Sequence, residues 1–168
     1  MDNKRMTVRG LHPESGDLLR RIFFEQDAVW PENGTLSEEA FFQDVASQGM
    51  APLLFRRLAA KTGDAWPQTL LLRLRKTALR QAAFEPAAEV DLHCLLKALA
   101  HIGITPLLLK GTALSHTLYP EPGLRPRCDT DLLIPEEDRD KTAGLMKKVG
   151  YAPLHEAQAD YINTQMSY

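Results

Sequence analysis

Two short apolar runs, separated by a Lys-Gly turn, a loop rich in proline and arginine, and an Asp-x-Asp step, constrain this chain more than any other feature. Residues 107–134 read LLLKGTALSHTLYPEPGLRPRCDTDLLI. The order is an apolar strand, a turn at Lys110-Gly111, a short helical pattern, a Pro/Arg loop, and Asp129-Thr130-Asp131 leading into a second apolar strand. A fold of class α/β (α+β) follows, because strand periodicity begins here after about a hundred residues of helical periodicity.

The carboxylate spacing carries the most chemistry. Successive side chains of a strand alternate faces, so Asp129 and Asp131, two apart, are expected on one face. Two carboxylates on one face suit Mg²⁺ held jointly with substrate phosphates. In a two-metal site the ions lie about 3.5–4 Å apart and clamp an in-line phosphoryl displacement. The turn Lys110-Gly111-Thr112 is the second component: glycine permits close backbone approach, and the start of a helix offers unpaired N–H groups to an anion. Lys110, Arg125 and Arg127 add positive charge for a triphosphate, arginine being suited to bidentate contact. The competing structural reading makes Asp129 and Asp131 a polar strand end paired with Arg125 or Arg127, and makes Gly111 a turn residue only.

Upstream, the pattern is helical. Leu18, Leu19, Ile22 and Phe23 recur at helical spacing over 15–27, and Trp30 to Gly34 reads as a loop. Thr35 and Glu38 have capping-box spacing before a helix carrying Phe41, Phe42 and Val45 that ends before Gly49. A helix over 52–61 presents Leu53, Leu54 and Leu58 and stops at Gly63. Residues 67–85 form a longer helical pattern in which Arg73, Arg75, Lys76 and Arg80 read as a solvated basic face or as a surface for an acidic or RNA partner. Pro86 begins a new helix or kinks the old one. Over 87–101, Val90, Leu95, Leu99 and Ile102 give a face to pack on the sheet that starts at 104–109. After the acidic strand, Pro135-Glu136-Glu137-Asp138 reads as a helix start and Gly150 as the residue past its end. Tyr151 to Leu154 is expected as an edge strand, and the tail to Tyr168 has no strong pattern.

Charge and composition exclude little beyond extremes. A net charge of -2 and a pI of about 6.2 give no overall drive toward nucleic acid or anionic lipid. No run approaches the roughly 18 apolar residues of a membrane span, and the first ten residues lack a secretory apolar segment, so a cytoplasmic location and no membrane partner are expected. Cys94 and Cys128 do not form a zinc framework, and Cys128 is expected to face away from the acids. His93, His101 and His116 lack paired metal-ligand spacing.

The combined KG, YP, LRP and DTDLLI pattern, with the helical segment ending in Gly150-Tyr151, resembles the uncharacterised nucleotidyltransferase family of the polymerase-β-type superfamily. The resemblance extends upstream to residue 36. It implies a small mixed-sheet nucleotidyltransferase-like core over 103–168, preceded by an α-helical region over 1–102. It implies further that Gly111 and Thr112 lie near an NTP triphosphate and that Asp129 and Asp131 bind Mg²⁺. The reaction implied is transfer of a nucleoside monophosphate to a hydroxyl of a protein, small molecule or RNA. Such enzymes use a third carboxylate on a later strand; Asp160 and Glu156 are the nearby acids, and neither has the expected strand context before the chain stops at Tyr168. The alternative is therefore an inactive or truncated nucleotidyltransferase-fold module that binds nucleotide or a protein partner.

Overall fold

The computed structural model describes residues 10–24, 28–31, 35–59, 65–153, 155–156 and 166–167. The chain divides into two compact units, Met1–Glu85 with Ser115–Cys128, and Pro86–Leu114 with Asp129–Tyr168. The change from helix to strand at 102/103 and the division by compactness at 85/86 mark different things, because one long helix serves both units.

The first unit contains α1 (Pro13–Phe24), α2 (Glu38–Ser47), α3 (Ala51–Ala59), the first half of α4 (Gln68–His101) and a 3-10 turn at Pro122–Leu124. Its core is made by Leu18, Leu19 and Ile22 of α1, Phe41 and Val45 of α2, Leu54 and Leu58 of α3, and Leu70 and Leu74 of α4. Each such side chain contributes about 1.5–3 kcal/mol of burial free energy. Trp30 stacks edge-on against Phe41 and Trp66, with centroids 5.5 and 5.9 Å apart. The expected capping box at Thr35 and Glu38 is not formed. The helix begins at Glu38, so Ser37 is the residue that caps it, accepting the Ala40 amide at 3.1 Å. Thr35 instead donates its hydroxyl hydrogen to Glu14. For the expected 52–61 helix, Lys61 and Gly63 lie outside the described residues, as does Asp27 of the first helix.

Of the basic residues on α4, Arg73 lies over the Phe42 ring at 4.0 Å and pairs with Glu39. That guanidinium, with a further hydrogen bond from Gln43, holds the Glu39 carboxyl well below the usual range, at about 2. Arg75, Lys76 and Arg80 flank Leu72 and Leu79, both exposed.

Pro86 does not begin a new helix. α4 is continuous through it, forfeiting the hydrogen bond that a residue-86 N–H would give to Ala82. In the second unit, α4 turns Leu95 and Leu99 onto Ile104 and onto Met146 of α6 (Arg139–Lys148), with Leu132 and Ile134 packed beside them. Val90, expected on that face, is exposed. Gly103, at φ 80°, ends α4: its amide reaches Ala100 O and the Ile104 amide reaches Leu99 O. Ile104 is thereby tied to the helix end, and Pro106 has no amide to give a ladder. The strand β1 is accordingly Leu107–Leu109 rather than the expected 104–109.

β1 pairs antiparallel with β2 (Asp131–Leu133) in the register Leu107↔Leu133, Leu108↔Leu132, Leu109↔Asp131. Residues 136–138 form a 3-10 turn, and α6 starts only at Arg139. The expected strand at 151–154 is absent over the described Tyr151 to Pro153; Leu154 lies outside the described residues. The tail instead carries β3 (His155–Glu156) paired antiparallel with β4 (Met166–Ser167). No helix among the described residues is long and apolar enough to cross a membrane.

Candidate functional site

β1 runs into α5 (Lys110–Thr117) without an intervening loop, so the change from strand to helix falls on a single residue. That residue is Lys110, at φ 47°, while Gly111 beside it takes no positive φ. A left-handed conformation costs an L-residue about 1–2 kcal/mol. The glycine of the expected turn thus lies in the first helical turn, and the left-handed conformation sits on the lysine.

The consequence is geometric. Lys110 follows Leu109, which faces Asp131 across the ladder, and its ammonium donates to Asp131 Oδ1 at 2.9 Å. Asp131's side chain is half-buried and that of Lys110 is exposed. The hydrogen bond and charge of Asp131, with Asp129 adding its own field, hold the ammonium above its ordinary pKa. Lys110, Asp129 and Asp131 therefore share one electrostatic neighbourhood.

Asp129 is not in the strand. β2 starts at Asp131, so strand alternation does not set the orientation of Asp129. Cys128 is also outside the strand, so alternation does not set its direction either, and it is exposed. What holds the segment is Thr112. Its side chain is buried, and its hydroxyl lies 3.4 Å from Asp129 O and 3.2 Å from Thr130 Oγ1. Thr112, expected near phosphate, is an anchor between the start of α5 and the Asp129-Thr130 segment.

Arg125 and Arg127 belong to the first unit. Arg127 donates to Glu85 Oε1 at 2.6 Å, with side chains only 6% and 11% exposed, and its guanidinium lies 3.4 Å from Ser115 Oγ. Gln81 donates to the other oxygen of Glu85 at 3.3 Å, and a Cβ added at Gly123 would lie 3.5 Å from the Glu85 stem. The Arg125 guanidinium is 5.9 Å from the Tyr119 ring centroid, and its Nε is buried without a hydrogen-bond partner. The pairing of the two aspartates with Arg125 or Arg127, the structural alternative, is replaced by Lys110–Asp131 and Glu85–Arg127. Neither pair has a local signal in the sequence, their members lying 21 and 42 residues apart.

The match to family models agrees with the motif. The model of the uncharacterised nucleotidyltransferase family matches residues 36–167. The chain belongs to this family. No curated protein and no solved structure matches it. For a nucleotidyltransferase the donor set is then the question. Among the described residues no group of three or more His, Cys, Asp or Glu gathers to hold a metal. Asp129 and Asp131 supply hard oxygens, and one or two carboxylates are what Mg²⁺ takes from protein when substrate phosphates complete its shell. Among the described residues, then, these two carboxylates form no protein cage, and their oxygens are of the chemical kind an ion shared with a phosphate chain would take.

Proposed function

We propose that the chain transfers a nucleoside monophosphate from an NTP to a hydroxyl acceptor. The acceptor oxygen forms a bond to the α-phosphorus, the bond from that phosphorus to the β-bridging oxygen breaks, pyrophosphate leaves, and the hydroxyl proton passes to solvent. The observation that supports this reading best is the meeting of the Lys110-Gly111-Thr112 turn with the Asp129-Thr130-Asp131 segment at one end of the β1–β2 pair.

Asp129 and Asp131 would hold Mg²⁺, which when bound neutralises charge developing on the phosphates. The first turn of α5, with Gly111 in it, offers backbone N–H groups to the β- and γ-phosphates. Thr112 keeps the two segments in register, so the carboxylates and the helix start face one substrate with little reorganisation.

Calorimetry with a non-hydrolysable ATP analogue, with and without Mg²⁺, tests the reading on the parent chain and an Asp129→Asn, Asp131→Asn variant. Metal-dependent binding that the variant loses is expected. A folded parent that binds none of several nucleotides overturns it, and binding with no turnover on any hydroxyl acceptor favours the inactive nucleotide-binding module.

A further inference from the structure

We propose that Lys110 is an internal counter-ion of Asp131 that changes places with the metal as nucleotide arrives, so that the site takes up cation and triphosphate together. This rests on the nucleotide reading above and concerns the control of that same site.

Three observations lead to it. The Lys110 ammonium already occupies one bonding position of the carboxylate, 2.9 Å from Asp131 Oδ1. A divalent ion on that oxygen would sit a few ångströms from a positive charge, so one of the two must leave. The lysine side chain is 71% exposed against 23% for the aspartate. The long, flexible lysine stem is thus free to swing outward while the carboxylate stays half-buried at the strand end. Finally, position 110 holds the left-handed conformation, at φ 47°, that glycine would adopt without strain. A strained non-glycine residue at a site points to a use for its side chain. Here that use is charge directed at Asp131.

Metal alone must break the pair and leaves the ammonium beside carboxylates whose charge the metal has already taken up. Metal with a triphosphate offers the ammonium a new partner, so each ligand makes room for the other. Linkage then requires the effect to be reciprocal: nucleotide strengthens metal binding by the factor with which metal strengthens nucleotide binding.

The test measures Mn²⁺ affinity of the full chain by electron paramagnetic resonance, with and without a non-hydrolysable ATP analogue, for the parent, Lys110→Gln, Lys110→Arg and Lys110→Gly. An exposed pair of this kind is worth a factor of about two to five. Lys110→Gln is expected to bind Mn²⁺ about two- to fivefold more tightly without nucleotide, and the analogue more weakly with Mn²⁺ present. These shifts have opposite signs, which a merely structural role does not produce. Lys110→Arg should follow the parent. Lys110→Gly, which relieves the left-handed strain, should follow Lys110→Gln even if the glutamine variant folds poorly. Nucleotide-free Mn²⁺ affinity that is unchanged or weaker in both Lys110→Gln and Lys110→Gly overturns the proposal. If the parent still binds Mn²⁺ and analogue through Asp129 and Asp131, only the exchange fails. If no variant binds either ligand, the nucleotide reading falls with it.

Discussion

Replacing Arg127 by methionine removes the cation from a carboxylate that is 11% exposed and keeps most of the packing of the arginine stem. Glu85 then retains the Gln81 amide at 3.3 Å in place of a charge-assisted bond at 2.6 Å. Breaking one side of a buried pair costs about 3–5 kcal/mol. The expected destabilisation is therefore about 3–5 kcal/mol. Urea unfolding followed by circular dichroism reads that number. The double variant Arg127→Met, Glu85→Leu should recover to within about 1 kcal/mol of the parent, since two apolar side chains leave nothing charged to desolvate. A loss in Arg127→Met under about 1 kcal/mol refutes the reasoning.

Two further outcomes are expected. Thr112→Val keeps the shape of a buried side chain and deletes the hydroxyl that meets the Asp129-Thr130 segment; it should cost about 0.5–1.5 kcal/mol in urea and raise amide hydrogen exchange at 129–131, with unchanged exchange counting against the anchor. Glu39 titrates at about 2 because of Arg73, so in Arg73→Gln its carboxyl should return toward 4.5 in a carbon-detected NMR titration. The Glu39 contribution is fully present above about pH 4.5 and is lost as pH falls toward 2. A Glu39 titration left near 2 in the variant rules out the arginine as its cause.

Much of this architecture was legible from local pattern. The helices with buried Ile22, Phe41, Leu54, Leu74 and Leu99 follow from 3.6-residue periodicity, because a helix that must bury one face repeats apolar residues at that spacing. The helix ends at Gly49, Gly103 and Gly150 were equally readable, since a left-handed residue is needed there and glycine adopts it without strain. The family resemblance was legible in the order of short motifs over 107–134, a property of sequence alone, and the family model covers 36–167.

Where a local rule had two readings, tertiary contacts chose between them. Pro86 breaks a helix by propensity, yet α4 passes through it with Leu95 and Leu99 buried beyond. Strand alternation held for the residues that pair, Asp131 to Leu133, and not for Asp129, because alternation is a property of a formed ladder. The turn expected to rest on Gly111 rests on Lys110, the residue where β1 ends and α5 begins.

The sequence by itself determined which segments are helical, that Gly49, Gly103 and Gly150 lie just past helix ends, and that a Lys-Gly turn follows one apolar strand and an Asp-x-Asp step leads into the other. Only the tertiary structure decided which charges meet: Lys110 with Asp131, and Arg127 with Glu85. The physical reason is range. Periodicity and capping act over one or two turns of backbone, whereas an ion pair depends on a distance in space that the chain reaches only after its apolar faces have packed.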